Sequence, residues 1–252
     1  LSNKLKKTWQ SKKPKNTLKH IGVEIELISK LNKLDMQTLI VNNDLEEFVQ
    51  VKDDGSIETD SENGFYYAHE LCIISPEKKI DKVIKKLCGI LRGNSSVNST
   101  CGLHVHLDMR RRNPEKSYIN LFKMQPLLYS MVPASRTEND YCYPSLDYVY
   151  RPVTEWHRLG RYVGINRASF YNHKTIEVRL HSGTLNADKI INWVKLLIKI
   201  VDTKGLSRDT CMVYEMSEVK RKLKIRGNLN KNMVERVNRF KSEHRNSDLA
   251  VA

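Results

Sequence analysis

Three short segments of this 252-residue chain place acids and imidazoles at every second position. In GVEIEL, Glu24 and Glu26 alternate with Val23, Ile25 and Leu27. In GLHVHLD, His104, His106 and Asp108 alternate with Leu103, Val105 and Leu107. In TIEVRLH, Glu177, Arg179 and His181 alternate with Ile176, Val178 and Leu180. A period of two puts each polar set on one face of a strand. If the strands share one sheet, Glu24, Glu26, His104, His106, Glu177 and Arg179 converge on one surface. Carboxylates that close must share cations or take up protons. Hard oxygen ligands with one or two imidazoles suit Mg²⁺ or Mn²⁺. Arg179, two residues from Glu177, would supply a planar fork for an anion such as phosphate. The plainer alternative is a one-sided sheet whose polar faces meet water. It accounts for any one strand better than for all three, because solvent faces carry mainly Thr, Lys, Ser and Gln.

Two further carboxylates join the set. Asp54 sits in a DGS turn, where it either reaches over the sheet edge or simply closes an Asx turn. Glu70 interrupts the apolar run ELCII, which reads as a strand buried on both faces. A lone buried carboxylate is costly unless paired or metal-bound, so Glu70 is read as a ligand. No glycine-rich phosphate loop ending in GK[ST] is present. Phosphates would therefore be held by cations and arginine. Cys101 and Cys142 fall near the site in sequence, but no base accompanies either thiol.

Positioning these residues requires particular elements. A strand is expected over about His20–Ser29, followed by a variable segment and a strand near Glu47–Lys52. Another strand is expected over His69–Ile74. Ser75 and Pro76 read as helix-opening residues for an amphipathic stretch from Ile80 to Leu91. Gly102–Asp108 reads as a strand, and Tyr118–Val132 as a helix kinked by Pro126. The tyrosine-rich loop YCYPSLDYVY precedes strands near Arg161–Asn166 and Thr175–His181. Asn186–Asp202 reads as an amphipathic helix. Strands mixed with irregular stretches and a few helices predict an α+β fold with a largely antiparallel sheet.

The formal charge of +14 is concentrated at the ends. Residues 1–20 hold seven lysines and no acid, and residues 204–252 hold twelve bases against six acids. The remainder holds 24 bases against 23 acids, so the body is nearly neutral. We therefore expect a basic arm over 1–19, a catalytic domain over 20–203 and a basic helical extension over 204–252. Basic ends offer contact with a polyanion or nucleic acid without defining a reaction. Five cysteines, odd in number and without a CxxC pair, argue for a reducing compartment, hence cytoplasm. The apolar stretch Ile190–Val201 is broken by Lys195 and Lys199, so no membrane span is expected. No leader-like segment is recognised, because the first apolar cluster follows a lysine-rich stretch.

Taken in order, GVEIE, DGS, HELCIISP, CGLHVHLD, VPASRTENDYC and TIEVRLHSGTLN resemble the amidoligase branch of the carboxylate–amine ligases, in the glutamine synthetase and γ-glutamylcysteine ligase superfamily. The resemblance runs from about His20 to Trp193. It implies a glutamine-synthetase-like catalytic fold, with a curved, largely antiparallel sheet around ATP and two or three divalent ions, and helices on its outer face. It implies ATP-dependent joining of a carboxylate to an amine, each from a small molecule or peptide, through an acyl phosphate. By motif, Glu24, Glu26, Asp54, Glu70, His104 and Glu177 are implied metal ligands. Arg179 is implied to meet the transferred phosphoryl group. His106, Asn166 and Ser56 are implied to face nucleotide or substrate, and Arg136 to bind an anion from a loop. Two rivals stand beside this reading. His104–Asp108 match the HxHxD pattern of some binuclear zinc hydrolases, although Met109 stands where those sites place another histidine. A retired ligase fold could instead serve as a structural or nucleic-acid-binding subunit, although every candidate acid is intact.

Overall fold

The computed structural model describes residues 19–144, 151–204 and 216–241. The lysine-rich arm up to residue 18 and the second half of the tyrosine-rich loop lie outside the described residues. The strands are β1 (His20–Ser29), β2 (Val49–Asp53), β3 (Tyr67–Pro76), β4 (Ser95–Ser96), β5 (Gly102–Asp108), β6 (Ile165–Asn166) and β7 (Thr175–Ser182). The helices are α1 (Lys33–Val41), α2 (Ile80–Ile90), α3 (Pro114–Lys123), α4 (Gln125–Ser130), α5 (Ser169–His173), α6 (Ala187–Asp202), α7 (Met216–Leu223) and α8 (Gly227–Phe240).

All seven strands join one open sheet in the order β2-β3-β1-β5-β7-β6, with β4 paired to the end of β1. Every pairing is antiparallel, as expected for an α+β fold. One sheet face is apolar: Val23, Ile25, Leu27, Leu71, Ile73, Leu103, Val105, Leu107, Ile176 and Val178 are all buried. Helix α6 packs against α2, α3 and α8 on this side and touches β5. Its buried residues Ile190, Ile191, Trp193, Val194, Leu196, Leu197, Ile200 and Val201 explain why it forms here. Each large apolar side chain removed from water contributes about 1.5–3 kcal/mol. Asn186 caps α6, its side chain accepting from the Lys189 amide at 3.0 Å. Val219, Leu223, Leu229 and Met233 from α7 and α8 join the same core. Among the described residues no helix is long and apolar enough to cross a membrane.

Several expected boundaries change. Ser75 and Pro76 do not open a helix; they end β3, opposite Ile21 and His20. Proline is tolerated at a strand end, and α2 begins at Ile80 without a side-chain cap. Pro126 does not kink a continuous helix. The chain breaks at Met124, and Pro126 occupies the first turn of α4, where its missing N–H costs nothing. The variable segment contains α1, which buries only Met36 and Ile40. Two buried residues one turn apart leave little helical periodicity to detect.

Candidate active site

The register of the central strands assembles the polar face. Glu24 on β1 lies opposite Cys72 on β3 and His104 on β5, and Glu26 lies opposite Glu70. His106 faces Gly22 on one side and Glu177 on the other. Glu177 faces Asn166 on β6, and Lys52 on β2 faces Glu70. The expected convergence of Glu24, Glu26, Glu70, His104, His106, Glu177 and Arg179 therefore occurs on one sheet face.

Contacts among these groups are dense. His104 Nδ1 is 3.3 Å from Glu24 Oε2, and His104 Nε2 is 3.5 Å from Glu26 Oε1. Glu26 Oε2 accepts the Gly102 amide at 2.6 Å. Glu177 Oε2 accepts from Asn166 Nδ2 at 2.7 Å, while its Oε1 accepts from Arg179 Nη1 at 2.5 Å. Arg179 Nε donates to the Tyr141 carbonyl at 3.1 Å, which fixes the guanidinium from a second direction. Glu70 Oε1 accepts from Lys52 Nζ at 2.7 Å and from Cys72 Sγ at 2.9 Å. Glu70 is thus paired rather than alone in an apolar strand. The face holds four carboxylates against two permanent cations, Arg179 and Lys52, an imbalance that favours divalent ions.

Burial by itself would raise the Glu24 and Glu177 carboxyls. The neighbouring imidazoles, and Arg179 beside Glu177, outweigh it and hold both below the usual carboxylate range. Burial would likewise lower His106, but contact with Glu24 and the charges of Glu177 and Glu24 raise it. His106 Nε2 is 3.3 Å from Glu24 Oε1 and 3.9 Å from Glu177 Oε1. It is buried and makes no aligned hydrogen bond, so the attraction is between charges. Its Nδ1 is anchored on Thr175 Oγ1 at 3.0 Å. A proton on Nε2 would set one positive charge beside the two carboxylates. A divalent ion would fill the same position with the ring neutral, the Thr175 bond fixing the tautomer.

The unpartnered His106 Nε2, aimed at two carboxylates, fits a metal ion. Among the described residues, three groups have ligand atoms mutually within 4.8 Å: Glu24, His106 and Glu177; Glu24, Glu70 and Cys72; and Glu26, Glu70 and His104. Glu24 and Glu70 each belong to two groups, so the three form a connected row. His106, expected to face nucleotide or substrate, stands here as a candidate ligand.

Other expected residues lie elsewhere. Asp54 Oδ1 accepts from the Ser56 amide at 2.9 Å and the Ser56 hydroxyl at 2.6 Å, closing an Asx turn outside the three groups. Arg136 is buried, and its guanidinium donates to the Leu180 and Arg179 carbonyls at 3.2 and 2.8 Å, bracing β7 beneath Arg179. Asp108 also stays outside the groups, accepting from the Arg110 amide at 3.0 Å. His181 breaks the expected alternation. One extra residue on β7 between the pairs Val105–Val178 and Leu103–His181 forms a β-bulge. Because Leu103 faces the core, the bulge turns His181 to that side, with its ring centroid 5.2 Å from Trp193.

Four contributors escaped the sequence reading. Cys72 carries the same period-two signal as Glu70 but was absorbed into an apolar run. Lys52 and Thr175 become visible only through cross-strand register. His173, whose ring meets His106 edge-to-face at 6.1 Å, sits on a short helix without a strand pattern.

A family model described as "Putative amidoligase enzyme" matches residues 145–201. This is the family that the motifs resemble, and the match supports a ligase-type function. It includes Asn166, Glu177 and Arg179 and stops short of Glu24, Glu26, Glu70, His104 and His106. No curated protein matches the chain.

Proposed function

We propose that the chain is an ATP-dependent carboxylate–amine ligase working through an acyl phosphate, on a sheet of the glutamine-synthetase type. The observation that carries this reading is the convergence of Glu24, Glu26, Glu70 and Glu177 with His104 and His106 on one face, Arg179 at its side. Carboxylate oxygen is a poor leaving group, so amide formation at neutral pH needs a phosphoryl donor. Phosphoryl transfer is chiefly positioning and charge neutralisation, and these residue types supply both. The four carboxylates and two imidazoles would hold Mg²⁺ or Mn²⁺, which when bound neutralises phosphate oxygens. Arg179, fixed by Glu177 and Tyr141, directs its remaining donors at the transferring group. A substrate carboxylate oxygen attacks the terminal phosphorus of ATP and ADP leaves. The amine then attacks the acyl carbon, phosphate leaves, and the nitrogen gives up a proton. The basic ends would bring this activity to a polyanion.

The test is a screen of acids and amines for amine-dependent ADP release, with products identified by mass spectrometry. Carboxylate ¹⁸O should appear in the released phosphate. Release of AMP, or unlabelled phosphate alongside a formed amide, would refute the acyl phosphate. Metal-dependent hydrolysis without nucleotide would favour the binuclear hydrolase.

A further inference from the structure

The helix side of β7 carries a second concentration of charge, of the opposite sign to the acidic face. A cleft of about 310 Å³ opens where the C-terminal end of β7 meets α6 and α8. Small-molecule sites commonly begin at about this size. Three cations line it: Lys189 from the first turn of α6, and Arg236 and Arg239 from α8. Glu235 is the one acid in the lining, and its exposed carboxylate stands 3.8 Å from Lys231. Among the described residues, no carboxylate pairs with Lys189, Arg236 or Arg239. Half-buried Arg236 donates from Nε to the Met131 carbonyl at 2.8 Å and from Nη1 to His181 Nε2 at 2.7 Å. Its Nη2 has no hydrogen-bond partner among the described residues. Burial and the Arg239 charge lower the Arg236 guanidinium to about 10, and no acid works against them. A charge withdrawn from water without a counter-charge is costly, and an entering anion would remove that cost. The Ser182 and Thr184 hydroxyls line the same cleft. Thr184 Oγ1 accepts from the Asn186 amide at 3.2 Å, which leaves its O–H to donate.

We infer that this cleft binds a phosphoryl dianion, free or on a small phosphomonoester, with Arg236 as its planar fork. Three cations against one outward acid leave two charges to offset, which a phosphoryl group supplies and a single carboxylate does not. Met131 and His181 hold the guanidinium by two of its nitrogens, so the fork is set before a ligand arrives. Lys189 and Arg239 add charge, and the two hydroxyls add donors. The inference goes beyond the ligase reading and rests on no step of that reaction. The β7 bulge puts His181 and this cleft on the helix side of the strand, whereas Glu177 and Arg179 face the acids.

The experiment is a calorimetric titration of the full chain with inorganic phosphate, glycerol phosphate and acetate. It is run near pH 8, where a phosphoryl group carries two charges, and without divalent ions, so that no metal holds phosphate on the acidic face. Inorganic phosphate or glycerol phosphate should bind saturably with one site per chain, and acetate at least tenfold more weakly. The tighter of the two phosphates assigns the source of the group. Arg236→Gln should weaken binding at least tenfold, the cost of a charged hydrogen bond. Lys189→Gln and Arg239→Gln should each weaken it about two- to fivefold, and they decide the matter if Arg236→Gln does not fold. Arg179→Gln, across the strand, should leave phosphate affinity unchanged. No saturable binding, acetate bound as tightly as phosphate, or unchanged affinity in Lys189→Gln and Arg239→Gln would overturn the site. Loss of binding in Arg179→Gln would move the phosphate to the acidic face. Arg236-dependent binding of a DNA oligonucleotide, with none of phosphate, would make this face a nucleic-acid contact instead.

Discussion

Gly22 lies directly opposite His106, and a Cβ built on it would stand 2.9 Å from the His106 Cβ. Directly opposed residues normally hold their Cβ atoms about 4.5–5.5 Å apart. The missing side chain is therefore what allows the imidazole to stand over β1 between Glu24 and Glu177. Gly22→Ala should push His106 away, destabilise the fold by about 1–3 kcal/mol as overpacking does, and weaken Mn²⁺ binding. Thermal denaturation and Mn²⁺ titration read the two effects separately. Unchanged Mn²⁺ affinity would show that His106 is not a ligand.

Glu177→Gln removes a charge at nearly constant shape. Asn166 and Arg179 donate to different oxygens of Glu177, so the new carboxamide NH2 faces one of these donors, which loses its acceptor at a cost of about 1–3 kcal/mol. Turnover should fall by orders of magnitude, with Mn²⁺ affinity reduced at least tenfold and circular dichroism retained. Activity equal to the native chain at limiting Mg²⁺ would remove Glu177 from the site.

Arg179→Lys keeps the charge and loses the fork. An ammonium can pair with Glu177 but cannot also present the second edge now fixed by the Tyr141 carbonyl. Steady-state kinetics should show kcat lowered by about 10²–10³, the usual cost of one lost transition-state donor.

His181 should impose a pH dependence on stability. Burial, then the Arg236 charge, lower its pKa well below the ordinary imidazole value. The neutral ring accepts from Arg236 Nη1 at 2.7 Å and donates from Nδ1 to the Ser182 carbonyl at 2.6 Å. Because the folded pKa is depressed, the unfolded chain binds the proton first. This contribution is intact above about pH 6.5 and is lost as pH falls, at most about 1.4 kcal/mol per pH unit. Melting curves from neutral to pH 5 should show this slope, and His181→Asn should flatten it. An identical slope in the variant would assign the acid sensitivity elsewhere.

Alternation was a sound guide to β1, β5 and β7, because a strand buried on one face must separate its two residue sets. It predicted the shared polar face but not the pairing across it, which is a long-range property. Lys52 facing Glu70 and Gly22 facing His106 follow only from register. A single inserted residue defeated the pattern at His181, since a bulge has no composition signal in TIEVRLH. Arg136 and Asp54 illustrate a different limit. A guanidinium can meet an anion or two backbone carbonyls, and a turn aspartate can bind an ion or close its own turn. Residue type does not separate these outcomes.

The place of β1 within the sheet has a consequence for how the protein opens. β1 is hydrogen-bonded along both edges, by β3 on one side and by β5 and β4 on the other, whereas β2 has β3 alone. Amide exchange around Glu24 and Glu26 should therefore require global unfolding, while Val49–Asp53 exchanges through local fraying. Such fraying carries Lys52 away from Glu70 and leaves the other acids in register. The face that gathers the acids is thus the last to lose its structure, and the ammonium that covers one end of it is the first to leave.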